Sequence, residues 1–285
     1  MTEPDYQGWV GRTREDRDTA SPAAMSMMAC TLSDLPGTPP ADPAPGTPLP
    51  PLWHWGLFHP TAPMDRLGPD GHPERGAFLP PITLERRMWA GGALVFHAGL
   101  QVGDALDRAS RIARIRQVEN ERGEMIFVTV EHRLTGPRGL AVEERQDIVY
   151  MPMPERFTPP KKIPAPERCE AELKLPMTEA RLFRYSAATF NAHRIHYDLP
   201  YARDVEKYPG LVVHGPMQAM CLMALAAEVA GRAPDRFSFR GVHPMFAGEE
   251  IRLCAWREED APGLRLCTVA AEGHQGMQAT AEWEE

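Results

Sequence analysis

The sequence predicts an α+β chain in which antiparallel sheets wrap around central helices. Three observations carry that expectation. Residues 216–230 (P-M-Q-A-M-C-L-M-A-L-A-A-E-V-A) read as a helix that is apolar nearly all round, through Met217, Met220, Cys221, Leu222, Met223, Leu225 and Val229. Such a helix must be buried on most sides. Short apolar or alternating runs, the signature of strands, fill 93–150 and return after 236. Between them lies P-M-P-E-R-F-T-P-P-K-K-I-P-A-P at 152–166, a proline-rich stretch that supports neither helix nor ladder. A curved antiparallel sheet around the helix, a hot-dog, is the economical way to bury it, and two such units side by side make a double hot-dog. The expected division is a first hot-dog-like half at 1–151, a linker at 152–168 and a second half at 169–285.

In chain order, 12–35 reads as a short helix, with Thr19 or Ser21 as N-cap, Pro22 at the first helical position and Ala23, Met27, Met28 and Leu32 on the apolar face. P-G-T-P-P-A-D-P-A-P-G-T-P-L-P-P at 36–51 is an extended linker. Ala93–Leu100, Asp104–Val118, Met125–Leu134 and Val142–Tyr150 predict a meander of four long strands, with a break at 119–123 and a turn at 136–139. After the linker, Ala180–Ala188 reads as a strand. The apolar helix follows, with Pro216 in its first turn and Gly231 as its stop. Phe237–Met245, Glu250–Arg257, Leu264–Ala271 and Met277–Trp283 close the chain as strands.

Composition narrows the function. The chain has 285 residues, 43% hydrophobic and 25% charged, enough for a sizeable core. A net charge of −8 argues against a general nucleic-acid binder and for small or neutral partners. No run reaches the roughly 20 apolar residues of a spanning helix, so no membrane role is expected. The start, M-T-E-P-D-Y-Q-G, lacks the basic and apolar regions of a signal peptide. Five cysteines (30, 169, 221, 254, 267) include no CxxC pair. Reduced thiols in a cytoplasmic protein fit that pattern, with Cys221, Cys254 and Cys267 as small buried hydrophobes.

The chemistry concentrates between Tyr185 and Pro216. Asn191, His193, His196 and His214 fall within 24 residues, in Y-S-A-A-T-F-N-A-H-R-I-H-Y-D and G-L-V-V-H-G-P. Histidine is the side chain that titrates nearest neutrality, and so the usual choice for proton transfer. A zinc site built from the three histidines lacks a paired cysteine or acidic ligand at a recognised spacing, so no metal is expected.

The run F-N-A-H-R-I-H-Y-D, followed 18 residues after His196 by H-G-P at the head of an apolar helix, resembles the hot-dog hydratase/dehydratase superfamily of MaoC-like proteins and R-specific enoyl-CoA hydratases. Its usual motif is D-x-N-P-x-H, which puts His196 on the catalytic histidine and Asn191 where the aspartate stands. The variant resembles the subgroup of 3-hydroxyacyl-thioester dehydratase 2 and the mesaconyl-C4-CoA (3-methylfumaryl-CoA) and itaconyl-CoA hydratases. P-P-L-W-H-W at 50–55, D-G-H-P at 70–73, F-L-P-P at 78–81, R-R-M-W-A-G-G at 86–92 and Q-D-I-V-Y at 146–150 extend the resemblance over most of the chain.

The resemblance implies reversible addition of water to a short α,β-unsaturated dicarboxylyl-CoA, mesaconyl-C4-CoA to citramalyl-CoA first among candidates. CoA would be part of the substrate, no cofactor would be needed, and a homodimer stays open. The first half would accommodate substrate and CoA, and the second would carry the catalysis. Such chemistry needs a base for water, an acid for Cα and donors for the enolate oxygen. His196 is the expected proton-transfer residue, Asn191 would hold the water or orient the imidazole, and the Gly215 N–H would receive the oxyanion at the helix start. Asparagine cannot act as a base, so either His196 makes both transfers or a carboxylate such as Asp198 assists.

The remaining candidates have plainer readings beside the functional ones. His193 is as well explained by structure as by substrate contact, and His214 better as a support of the Gly215 loop. Arg86 and Arg87 suit a substrate carboxylate or a solvated pair entering a strand. Trp89, with Trp53 and Trp55, lines a tunnel or belongs to an aromatic core. Lys161 and Lys162 meet CoA phosphates or stand exposed in the linker. Rival activities are a fatty 3-hydroxyacyl-thioester dehydratase, a hot-dog thioesterase and a non-catalytic acyl-CoA-binding module.

Overall fold

The computed structural model describes residues 5–120, 123–259 and 262–284. The first four residues of the N-terminal reading, and 121–122 within the break at 119–123, lie outside them. Strand β1 (Thr13–Thr19) precedes helix α1 (Pro22–Thr31). Next come β2 (Arg86–Phe96), β3 (Ala105–Asn120), β4 (Gly123–Gly136) and β5 (Gly139–Met151). The second half holds β6 (Ala171–Pro176), α2 (Glu179–Ala188), α3 (Leu199–Asp204), α4 (Gly215–Ala230), β7 (Arg236–Gly241), β8 (Glu250–Trp256), β9 (Leu264–Val269) and β10 (Gln275–Glu282).

The ten strands make one sheet in the order β1-β3-β4-β5-β2-β7-β10-β9-β8-β6, and each neighbouring pair is antiparallel. The halves join at β2 and β7, where Gly91 faces Arg240 and Gly92 faces Phe239. A Cβ on Gly91 would lie 2.5 Å from the Phe239 carbonyl oxygen, and one on Gly92 2.7 Å from that of Arg145. Glycine is therefore obligatory at this seam, which explains the G-G of R-R-M-W-A-G-G.

Helix α4 sits inside the second half of the sheet, packed on β6, β7, β8, β9 and β10. Met217, Ala219, Met220, Cys221, Leu222, Met223, Leu225 and Ala226 are buried along it. Gly231 ends it in the left-handed conformation, φ 69°. The first half keeps no equivalent central helix among the described residues. Its α1 shares one core with α2 and α4 through Met25, Met28 and Leu32, while Phe78, Leu79, Ile82 and Leu84 cover Ile112, Ile126, Val128 and Tyr150.

Four expectations need correction. Within 12–35, Ser21 caps α1 as anticipated, its Oγ accepting from the Ala24 N–H at 3.2 Å, but Thr13–Thr19 is an edge strand on β3. Ala180–Ala188 is helical. Thr178 caps α2 by accepting from the Arg181 N–H, and Leu182, Tyr185 and Ser186 are buried at helical spacing. Strand β6, absent from the sequence reading, closes the far edge on β8. Cys169 and Cys254 are joined as a disulfide, Cα–Cα 5.6 Å, where reduced thiols were expected. Among the described residues no helix is long and apolar enough to cross a membrane.

Candidate active site

The segment after α2 is folded by its own polar groups. Phe190 adopts a left-handed conformation, φ 49°, and the Asn191 N–H donates to the Ser186 carbonyl at 2.8 Å. Asn191 Oδ1 accepts from the His193 N–H at 3.0 Å, an Asx turn. Asp198 caps α3, accepting from the Tyr201 N–H at 3.1 Å, and receives Arg194 Nε at 2.9 Å and Nη2 at 2.7 Å. That carboxylate braces the loop, and it is absent from the lining of the cavity described below.

The D-G-H-P loop of the first half docks here. Arg194 donates its N–H to the Asp70 carbonyl and Nη1 to that of Pro69, both at 3.0 Å. Gly71, φ +86°, comes so near Ala192 that a Cβ would lie 1.9 Å from its carbonyl oxygen. His72 is thereby placed against His193, ring centroids 4.3 Å apart.

Four imidazoles run in a row: His72, His193, His196, then His214, with centroid separations of 4.3, 5.4 and 3.6 Å. His196 is 7% exposed. Its Nδ1 lies 2.7 Å from the Val212 carbonyl oxygen. A carbonyl only accepts, so Nδ1 carries the hydrogen and Nε2 keeps its lone pair. Burial, then His214 and His193, push its pKa well below the ordinary value. Its resting form is a neutral imidazole, suited to act as a base.

His214 is fully buried at the N-cap of α4, with Nε2 2.9 Å from Ser186 Oγ and Nδ1 sealed from solvent without a partner. Burial, with His193 adding to it, lowers its pKa to about 3. His72 is also lowered to about 3, by burial and then Arg87. His193 Nε2 lies 3.1 Å from Oε1 of Glu206, which is 2% exposed.

A cavity of about 1180 Å³ opens onto the first three of these rings. His72, Asn191, His193, His196, Glu206 and Gly215 line it from one side. Arg86–Ala90 of β2, the linker at 152–160 and residues 241–244, with His243, add to the wall. Gly215 is the first residue of α4, whose opening N–H groups have no intrahelical acceptor. A Cβ there would make only ordinary contacts, 3.8 Å to Met277 Cε. The protein's own packing does not demand this glycine, and its open side meets the cavity.

Arg86 corrects an expectation. It is committed to the protein, with Nε 3.3 Å from Glu206 Oε2, a hydrogen bond to the Tyr208 hydroxyl and its guanidinium 4.7 Å over the Tyr208 ring. Arg87 lines the same cavity, and among the described residues no carboxylate lies within 4.0 Å of it. Trp89 also lines it, and belongs to an aromatic cluster with Trp55 at 4.9 Å and Phe239 at 5.8 Å. Lys162 pairs with Glu272 on the surface. Asp70, His72 and His193 bring three potential ligand atoms within 4.8 Å of one another. Asp70 is already bonded to His72 at 2.9 Å, and His193 to Glu206.

The family pattern described as hydroxyacyl-thioester dehydratase type 2 matches residues 52–247, which spans both the docked D-G-H-P loop and the histidine row. The chain belongs to that family. It is 41% identical over 283 residues to the mesaconyl-C(4)-CoA hydratase of Chloroflexus aurantiacus, covering 99% of each chain. It is 28% identical over 269 residues to the mitochondrial hydroxyacyl-thioester dehydratase type 2 of Schizosaccharomyces pombe, covering 84% of this chain and 88% of that one. HtdX of Mycobacterium tuberculosis shares the fold at a TM-score of 0.67 and 19% identity, over 96% of this chain and 100% of the other. Another M. tuberculosis protein, described as having a double hot-dog fold, aligns at 0.57 and 13% over 95% of each chain. The double hot-dog is therefore the fold of this dehydratase-family chain too.

Three polar residues of this member of the dehydratase family escaped sequence reasoning. Glu206 has no motif around it. His72 was visible only as part of D-G-H-P. Glu144 is buried beneath Trp55, accepting from Trp55 Nε1 at 2.9 Å and Gln146 Nε2 at 2.8 Å, with His54 Nε2 at 3.1 Å. Burial alone would raise its pKa, but His54 and the other donors overcome that and bring it to about 2.

Proposed function

We propose that the chain is an acyl-CoA hydratase that adds water reversibly to mesaconyl-C4-CoA, giving citramalyl-CoA. The observation that carries the reading is His196: a neutral imidazole, fixed through Nδ1, beside the start of α4 and on the wall of the cavity. The full-length similarity to a mesaconyl-C(4)-CoA hydratase supports the substrate. His196 Nε2 takes the proton of water. The Gly215 N–H, in the positive field of the helix start, receives charge developing on the thioester oxygen. Asn191 spends Oδ1 on the His193 N–H and offers its Nδ2 hydrogens to the water or the product hydroxyl. Arg87 and Trp89 bound the acyl end, while His214 and Arg86 support the site.

In this reading the first half and the linker house the thioester, and the second half carries the catalysis. The protein works in the cytoplasm on a free small molecule, without a resident cofactor, CoA being part of the substrate.

The test follows the enoyl-thioester absorbance with mesaconyl-C4-CoA, itaconyl-CoA and crotonyl-CoA. Loss of absorbance fastest with the first supports the proposal. A preference for itaconyl-CoA or for long-chain enoyl thioesters moves the protein to those substrates. Thiol release without hydration reveals a thioesterase, and binding without any turnover a carrier module.

A further inference from the structure

The carboxylate missing at position 191 has a counterpart elsewhere in the cavity wall. Among the described residues, two acidic ones line the cavity, Glu155 and Glu206. Glu155 is exposed in the linker, whereas Glu206 is 2% exposed and holds His193 Nε2 at 3.1 Å. A carboxylate only accepts, so Nε2 carries a hydrogen and the other nitrogen, Nδ1, is left for the cavity that His193 lines. His193 thus mirrors His196: each imidazole is fixed through one nitrogen and lines the cavity. Their anchors differ in charge. His196 is tied to a neutral carbonyl and His193 to a carboxylate. His214, whose free nitrogen is sealed off, has no such opening.

We propose that His193, held by Glu206, is the second proton-transfer residue of the site and supplies the proton to Cα while His196 takes one from water. The inference rests on the hydratase reading above. In hydration an O–H bond of water breaks and its proton goes to His196 Nε2. The oxygen bonds to the β carbon, and the electron pair of the C=C bond passes into the enolate. That pair then takes the proton of His193 Nδ1 at Cα. Solvent in the open cavity resets both imidazoles, so one water is added and nothing is oxidised. Glu206 acts as a positioning residue, because its Oε1 is held on His193 Nε2 and its Oε2 faces Arg86 Nε. The groups facing His193 are Glu206, Arg86 behind Glu206, His72 with Asp70 and Arg87 from the first half, and His196 with His214 behind it.

Three variants of the full chain test this. His193→Gln is expected to lower kcat by 10²–10³, as loss of a general acid does, with CoA product binding within threefold of the parent. Glu206→Gln keeps the shape but not the charge. It is expected to lower kcat 10-fold or more and to move the high-pH limb of kcat towards lower pH, because the imidazolium loses its counter-charge. Arg86→Gln should move that limb in the opposite direction. A limb that stays in place in Glu206→Gln, or a His193→Gln rate within threefold of the parent, overturns the proposal. NMR of 15N-histidine-labelled parent and Glu206→Gln reads the dyad without turnover. A proton on His193 Nε2, and easier deprotonation of His193 in the variant, are required. Their absence sinks the dyad even if the parent hydrates. Their presence in a parent that hydrates no enoyl thioester would instead remove the hydratase reading.

Discussion

The ring of His196 lies face to face with that of His214, centroids 3.6 Å apart and planes 19° from parallel. The stack sets His196 against a second imidazole that is fully buried and does not line the cavity. Two cations at this separation would repel strongly in a dry site, so the pair keeps both rings neutral. His196→Ala is expected to lower kcat by a factor on the order of 10²–10⁴ while thioester binding persists. Stopped-flow absorbance with the substrate checks it, and a parental rate in the variant would remove His196 from the chemistry.

The same burial makes the protein acid-sensitive. His214 is ordinarily near 6.5 and is lowered to about 3 here. Below 6.5 the unfolded chain therefore binds a proton that the folded one refuses. Stability is full above pH 6.5 and falls as pH drops from there towards 3. By pH 5 the loss from His214 alone is about 2 kcal/mol. Thermal unfolding at pH 7.5 and 5 should show the drop, and His214→Asn should flatten it.

Which of this was legible in sequence depended on range. The all-apolar α4 could be read from its own residues, and so could His196, because its loop and the H-G-P behind it are close in sequence. Helix α2 was misread because it is only ten residues long, and the helical spacing of Leu182, Tyr185 and Ser186 declares itself as one face only once they are seen buried. The Arg86–Glu206 contact joins residues 120 apart, and the stacking of His72 on His193 bridges both halves. No local pattern announces either. Arg86 and Arg87 are adjacent and chemically alike, so only the placement of Glu206 separates their roles.

That separation predicts different phenotypes. Arg87→Gln should raise KM for mesaconyl-C4-CoA by about 10- to 100-fold, the worth of a charge-assisted hydrogen bond, and leave crotonyl-CoA, which has no second carboxylate, nearly unchanged. Arg86→Gln leaves Glu206 buried without its cation and should cost about 3–5 kcal/mol of stability. Parallel KM and urea-unfolding measurements distinguish the two. A selective KM effect from Arg86→Gln would reverse the assignment.

Gly71 tests the docking of the two halves. Alanine there must adopt φ +86° and place its Cβ against the Ala192 carbonyl. The loop carrying Asp70 and His72 would have to move away from the histidine row. Gly71→Ala should lose at least about 2 kcal/mol of stability, and turnover should fall with it. Unchanged melting and rate would mean that the D-G-H-P loop is not held as the structure has it.

Asn191 is the residue at which this chain departs from the usual motif, and two substitutions there separate its duties. Asn191→Asp retains the acceptor for the His193 N–H and adds a carboxylate on the cavity wall, within the same loop as His196. If His193 and Glu206 already provide the second proton-transfer group, the new carboxylate is redundant. Activity should stay within about 10-fold of the parent, with the pH profile of kcat unchanged in shape. Asn191→Ala removes both the turn acceptor and the Nδ2 donors, so it should lower kcat and stability together. In an Asn191→Asp/His193→Gln double variant the carboxylate has a vacancy to fill. Recovery of at least 10-fold over His193→Gln alone would show the familiar carboxylate–imidazole pair working on this scaffold. No recovery would mean that position 191 cannot reach the reacting carbon.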